Sequence, residues 1–173
     1  LHLCVRNLEN ISDYKNINND TLLADVCLAA LHEGESLVKQ YEEYIKKNRD
    51  FNICTVLARS FADIGDIVRG KDLYLDHEPG KQHLEERLER IFENIKKKNN
   101  NNELNNLSLD KFREYWWALN RVQVWRAITC KAPDKANYFK PPKNRRREFT
   151  DGHCGRDEEK VPTNLDYVPQ HLR

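Results

Sequence analysis

Seven basic residues crowd the stretch from Lys131 to Arg147: Lys131, Lys135, Lys140, Lys143, Arg145, Arg146 and Arg147. Asp134 is the only acid among them, so this stretch carries +6 in a chain whose formal net charge is +1. Such clustering suits a polyanion, whether a sulfated glycan, a nucleic acid or an anionic membrane. Tyr138, Phe139 and Phe149 interleave with the charges and offer ring faces that stack on sugars or bases. The density peaks over Lys140, Lys143, Arg145, Arg146 and Arg147, which are the candidate binding residues. Pro141-Pro142 predicts extended backbone there, spreading the charges along a line as a sulfated polysaccharide spreads its own. The competing reading is a solvated loop without a partner.

Other reactive residue types give weaker signals. Gly65 to Lys71 matches seven positions of a phosphate-binding loop, but Asp72 stands where Ser or Thr would reach Mg²⁺. The run also closes a helix, whereas such a loop opens one. His153 adjoins Cys154, yet a nucleophilic pair needs spatial adjacency and an orienting third group. The cysteines at 4, 27, 54, 130 and 154 show no CxxC spacing, which argues against a zinc ribbon or a redox motif. Wide spacing is compatible with long-range disulfides, or with reduced core thiols. No residue set suggests a metal or a cofactor.

The elements that position these residues read as helices. Asn19 or Asp20 can cap a helix running to about Lys47, and a second spans about Phe51–Arg69 with Gly70 as its stop. Pro79-Gly80 marks a turn, and a third helix covers about Lys81–Lys98. Asparagines crowd residues 99–107, predicting a mobile loop that buries too little apolar surface to order itself. Lys111–Cys130 then places two apolar stripes on one helix: Phe112, Tyr115, Trp116, Leu119 and Val122, opposite Trp117, Val124, Trp125 and Ile128. Two stripes predict packing on both sides, making this helix the central post. Cys27 and Cys130 each fall on the apolar stripe of helices expected to pack together, which pairs them if they are oxidised. No strand is predicted. The fold class is all-α, a bundle of long helices with an extended basic loop region toward the C-terminus.

Three blocks carry a resemblance. They are Ala58-Arg59-Ser60-Phe61-Ala62-Asp63-Ile64-Gly65-Asp66-Ile67-Val68-Arg69-Gly70, Arg113-Glu114-Tyr115-Trp116-Trp117, and Val161-Pro162-Thr163-Asn164-Leu165-Asp166-Tyr167-Val168-Pro169-Gln170-His171-Leu172-Arg173. Together they resemble the Duffy-binding-like domain, alpha type, of Plasmodium falciparum erythrocyte membrane protein 1. Cys4-Val5-Arg6-Asn7-Leu8 and Leu23-Ala24-Asp25-Val26-Cys27 fit the same type. The resemblance implies a partial domain over 1–173: the end of a first subdomain and most of a second, helical one. It implies a disulfide-linked fold with a Cys54–Cys154 bridge, leaving Cys4 for a partner outside the chain. It implies an adhesin on the infected erythrocyte, without catalysis or cofactor. The implied partners are a host receptor or heparan sulfate-like glycan, blood-group sugars or complement receptor one, and neighbouring domains of the parent protein, with no nucleic acid. The alternative it leaves is an antigenic scaffold whose neighbouring domains bind the receptor.

Overall fold

The computed structural model describes residues 8, 16–47, 52–74 and 83–173. Cys4 and the Pro79-Gly80 turn lie outside the described residues. Helix α1 (Asn19–Ile45) begins one residue earlier than the sequence suggested, because Asn18 is its cap. The Asn18 side chain accepts the Thr21 N–H at 2.9 Å, and Thr21 Oγ1 accepts the Asn18 N–H at 2.9 Å. Helix α2 (Ile53–Arg69) is capped by Asn52 and stopped by Gly70, whose φ of 72° is the left-handed conformation glycine adopts at least cost. Helix α3 (Leu84–Lys97) buries Leu84, Leu88, Ile91, Phe92 and Ile95 and turns its charges outward.

The asparagine-rich stretch, residues 99–107, buries none of its side chains fully. It contains a single helical turn, α4 (Asn102–Asn105), held by its own amides. Asn101 Oδ1 accepts the Glu103 N–H at 2.9 Å, and Asn105 Nδ2 donates to the Asn99 carbonyl at 2.9 Å. Asparagine bonds nearby backbone readily, which lets a segment with little to bury form a local turn. Leu104 adds an anchor against the core.

Helix α5 (Leu109–Ile128) is the post around which the others stand. Its Trp117 packs on Phe61 of α2 with ring centroids 5.2 Å apart, and Trp125 meets the same ring edge-on at 5.2 Å. On the other side Trp116 meets Phe92 of α3 at 5.6 Å and donates its Nε1–H to Asn19 of α1. Helix α1 runs parallel to α5, since Asn19 lies beside Trp116 and Gly34 lies against the Ile128 carbonyl. Helix α2 runs antiparallel, with Gly65 against the Trp117 indole and Gly70 against Arg113. Any side chain at Gly65 would stand 2.8 Å from that indole, so the glycine serves close packing rather than phosphate binding. The stripe of Trp117, Val124, Trp125 and Ile128 is fully buried, as expected. The opposite stripe is covered only in part: Phe112 and Trp116 are buried, but Tyr115 is 55% and Leu119 75% exposed. Both line an open groove with Ile95, Leu104, Phe112 and Trp116.

The helical class stands, with one addition that alternation in the sequence did not reveal. Strands β1 (Phe139–Lys143) and β2 (Arg146–Phe149) form an antiparallel hairpin, followed by a tight turn at Gly152–Gly155. Two short 3₁₀ turns, Leu165–Tyr167 and Gln170–Leu172, then carry the chain back over α2. Among the described residues no helix is long and apolar enough to cross a membrane.

Candidate functional site

The basic cluster is folded back on itself rather than drawn out in a line. Asn144 (φ 51°) and Arg145 (φ 63°) both sit in the left-handed region and make a two-residue turn whose twist matches the flanking strands. Asparagine tolerates that conformation well, which is why the chain reverses there. Phe139 pairs with Phe149, Lys140 with Glu148 and Lys143 with Arg146. Between the last two pairs Pro141 and Pro142 together oppose Arg147 alone, a bulge that accommodates two residues without ladder donors. The prolines and the bulge disguise the strand in the sequence.

This geometry divides the five candidate residues. Lys140 is half-buried, pairs with Glu158 at 3.1 Å and has Glu148 across the ladder, so its charge is already answered. Arg145, Arg146 and Arg147 are exposed, and no described residue forms an ion pair with them. The side chain of Lys143 lies outside what is described, although its backbone belongs to β1. At the base of the hairpin the exposed rings of Phe139 and Phe149 meet edge-on, 5.7 Å apart.

The base is fixed while the tip stands free. The Thr150 N–H donates to the Tyr138 carbonyl, and the Tyr138 N–H to Thr150 Oγ1, both at 2.8 Å. The Tyr138 ring lies 6.1 Å from that of Trp125 on the central post. A disulfide joins Cys54, in the first turn of α2, to Cys154 just beyond the hairpin, as the family resemblance implied. It also disposes of the His153–Cys154 nucleophile. His153 instead holds the Ala132 carbonyl at 2.7 Å and Asp134 at 3.0 Å.

The second expected bridge is absent, and Cys27 and Cys130 are free thiols. Gly34 of α1 touches α5 at Ile128, seven residues after Cys27 but two before Cys130. Seven residues of helix rise about 10 Å, whereas bridged Cα atoms stand about 4.4–6.8 Å apart. Stripe membership identifies which helices face each other and says nothing of their register. Both thiols line one shallow pocket with Leu31 and Ala127, and burial pushes the Cys27 thiol up to about 11.

The residues most telling in the sequence lie elsewhere, in a buried ionic clamp. Asp166, 1% exposed, accepts Arg121 Nε at 2.8 Å, Arg121 Nη2 at 2.7 Å and the Trp117 Nε1–H at 2.8 Å. Arg69 donates to the Asp166 carbonyl, to Asp66 at 3.1 Å and to the Gly65 carbonyl at 3.0 Å. Tyr167 stacks under both guanidinium groups, 5.3 Å from Arg69 and 5.0 Å from Arg121. Arg173 reaches Asp63 at 3.0 Å and also bonds Asp66. Arg113 caps the end of α2, donating to the Val68 carbonyl at 2.8 Å and gripping Glu85 through two nitrogens. Burial raises the carboxyls of Asp63 and Asp66 above their ordinary range, with Arg173 pulling each back. With its arginines and carboxylates engaged with one another, the clamp holds the C-terminal segment to α2 and α5.

The Duffy binding domain profile matches residues 1–173. No curated protein sequence matches. Among solved structures, the NTS-DBL1(alpha-1) domain of Plasmodium falciparum membrane protein 1 (PfEMP1), varO strain, is 38% identical with a TM-score of 0.82. The match covers 99% of this chain and 40% of that one. The varO NTS-DBL1-alpha and CIDR-gamma double domain is 38% identical with a TM-score of 0.83, over 99% of this chain and 25% of that one. An ICAM-1-binding DBLbeta domain of PfEMP1 is 35% identical with a TM-score of 0.67, over 99% of this chain and 39% of that one. The chain thus spans well under half the length of each, and with the profile matching it from end to end, this chain belongs to the Duffy binding domain family.

Proposed function

We propose that this chain is part of an adhesion module of a variant antigen on the infected erythrocyte, and that it engages a host-cell surface receptor rather than catalysing a reaction. Its membership among domains one of which binds ICAM-1 supports that reading at the level of class. For the ligand, the reading supported best is a sulfated, heparan sulfate-like glycan held by the hairpin tip. The observation that carries it is the group of exposed guanidinium side chains at Arg145, Arg146 and Arg147, without ion-pair partners among the described residues. A guanidinium presents a planar fork of donors that takes two sulfate oxygens at once, and exposed contacts of this kind act together because each is weak and salt-screened. Lys140 contributes little, since Glu158 holds it.

Heparin chromatography of the chain and of its Arg145→Ser, Arg146→Ser, Arg147→Ser triple variant tests this. The variant is expected to elute at lower salt with unchanged helical circular dichroism. Elution of both proteins at the same salt concentration would move the glycan site away from the hairpin. It would then favour a scaffold role, with neighbouring domains binding the receptor. Blood-group sugars and complement receptor one remain candidates for those other surfaces.

A further inference from the structure

The hairpin also has a backbone edge, separate from the side chains on which the glycan reading rests. In an antiparallel ladder, residue pairs alternate between pointing their N–H and C=O groups inward and outward. The Thr150 N–H bonds the Tyr138 carbonyl, so the next pair, Phe139 and Phe149, points outward, and Lys140 with Glu148 points inward. Arg147, opposite the bulge, points outward again, and Arg146 inward. No backbone group of Arg147 or Phe149 bonds another described residue outside the hairpin.

The two edges are not equivalent. Along β1 the outward positions after Phe139 fall on Pro141-Pro142, which has no N–H to offer, so an incoming strand finds that side blocked. Along β2 the outward donors and acceptors of Arg147 and Phe149 are intact, and all four residues of the strand are exposed. The sheet has only two strands, leaving this edge uncovered among the described residues.

Charge selects the occupant. Arg145, Arg146 and Arg147 stand at this end, with Glu148 the one acid of β2. A second copy of β2 laid antiparallel against the first would set Arg147 opposite Arg147 or, one pair along, Glu148 opposite Glu148, and like charges directly opposite are destabilising in a ladder. A strand carrying carboxylates would meet the guanidinium groups and have the exposed Phe139–Phe149 ring pair beside it for an apolar side chain. We propose that β2 is a strand-accepting edge, to which an extended acidic segment of a partner polypeptide adds as a third strand through Arg147 and Phe149.

The test uses the full chain and two synthetic peptides that alternate glutamate and valine, identical except that one has its internal amides N-methylated. N-methylation keeps every charge and removes the backbone donors. The unmethylated peptide is expected to bind at least about tenfold more tightly in fluorescence anisotropy, as the loss of several backbone hydrogen bonds requires. It is also expected to slow amide hydrogen exchange at Arg147 and Phe149 while leaving Arg146 and Glu148 unchanged. Equal binding of the two peptides, or no binding of either, would overturn the proposal, and so would unaltered exchange at Arg147 and Phe149. Equal binding would mark the hairpin as a reader of charge alone, an outcome compatible with the glycan site. Heparin elution is measured separately, so failure of the glycan reading is distinguishable from failure of this one.

Discussion

The same side chain is used in two opposite ways in this molecule. Arg69, Arg113, Arg121 and Arg173 end inside the fold, on carboxylates and backbone carbonyls. Arg145, Arg146 and Arg147 end in solvent on a two-stranded projection. A charge taken out of water costs several kcal/mol unless it is paired and its donors are met, which is why the buried arginines are tied to several partners each. Those tied donors are not available to a ligand. The exposed arginines incur no such cost and keep their donors for an external anion. The comparison teaches that the residues by which the family is recognised maintain its frame, while the surface proposed to bind carries none of those motifs.

Breaking the clamp should have the largest effect. Asp166→Ala leaves Arg121 and the Trp117 N–H buried without their acceptor, and should cost about 3–5 kcal/mol in urea unfolding. Trp117→Ala should cost a similar ~3–5 kcal/mol, because it removes a fully buried ring between α5 and α2. A loss below about 1 kcal/mol for both would mean that α5 is not the post it is described as. Replacing Cys54 and Cys154 by serine opens a loop of sequence separation 100 and should cost about 2–4 kcal/mol, read as a lower urea midpoint.

Acidity should then sharpen the contrast with an unusual sign. Asp63 and Asp66 have folded-state pKa values raised by burial above the ordinary 3.8. Between 3.8 and those raised values the native state binds more protons than the unfolded one. Their contribution therefore becomes more favourable as pH falls through that window. On acidification from neutrality the parent should gain stability relative to an Asp63→Asn, Asp66→Asn variant. A gap between the two that is flat with pH, or that moves the other way, would show that Arg173 outweighs burial. The smallest effect belongs to the hairpin tip. The triple Arg145, Arg146 and Arg147 to Ser variant should change stability by no more than about 0.5 kcal/mol, because those exposed side chains have no ion-pair partners to lose among the described residues.

Sequence alone settled the helical class and the central place of α5, while the Cys54–Cys154 bridge came from the family resemblance. Apolar periodicity, cap and stop residues, and ordered motifs are properties of the chain itself. It also singled out Arg145, Arg146 and Arg147, because a charge cluster is legible without any fold. Only the tertiary structure decided what each charge does. Whether Lys140 is free depends on Glu158, and whether Arg121 is free depends on Asp166, neighbours set by packing rather than by spacing. The same holds for Cys27 and Cys130: a stripe tells which face a residue occupies, while the axial register of two helices is fixed by where Gly34 lets them touch. The hairpin needed the structure as well. Its strands are short, its bulge breaks the two-residue alternation, and its ladder pairs become visible only once the Asn144-Arg145 turn has brought them together.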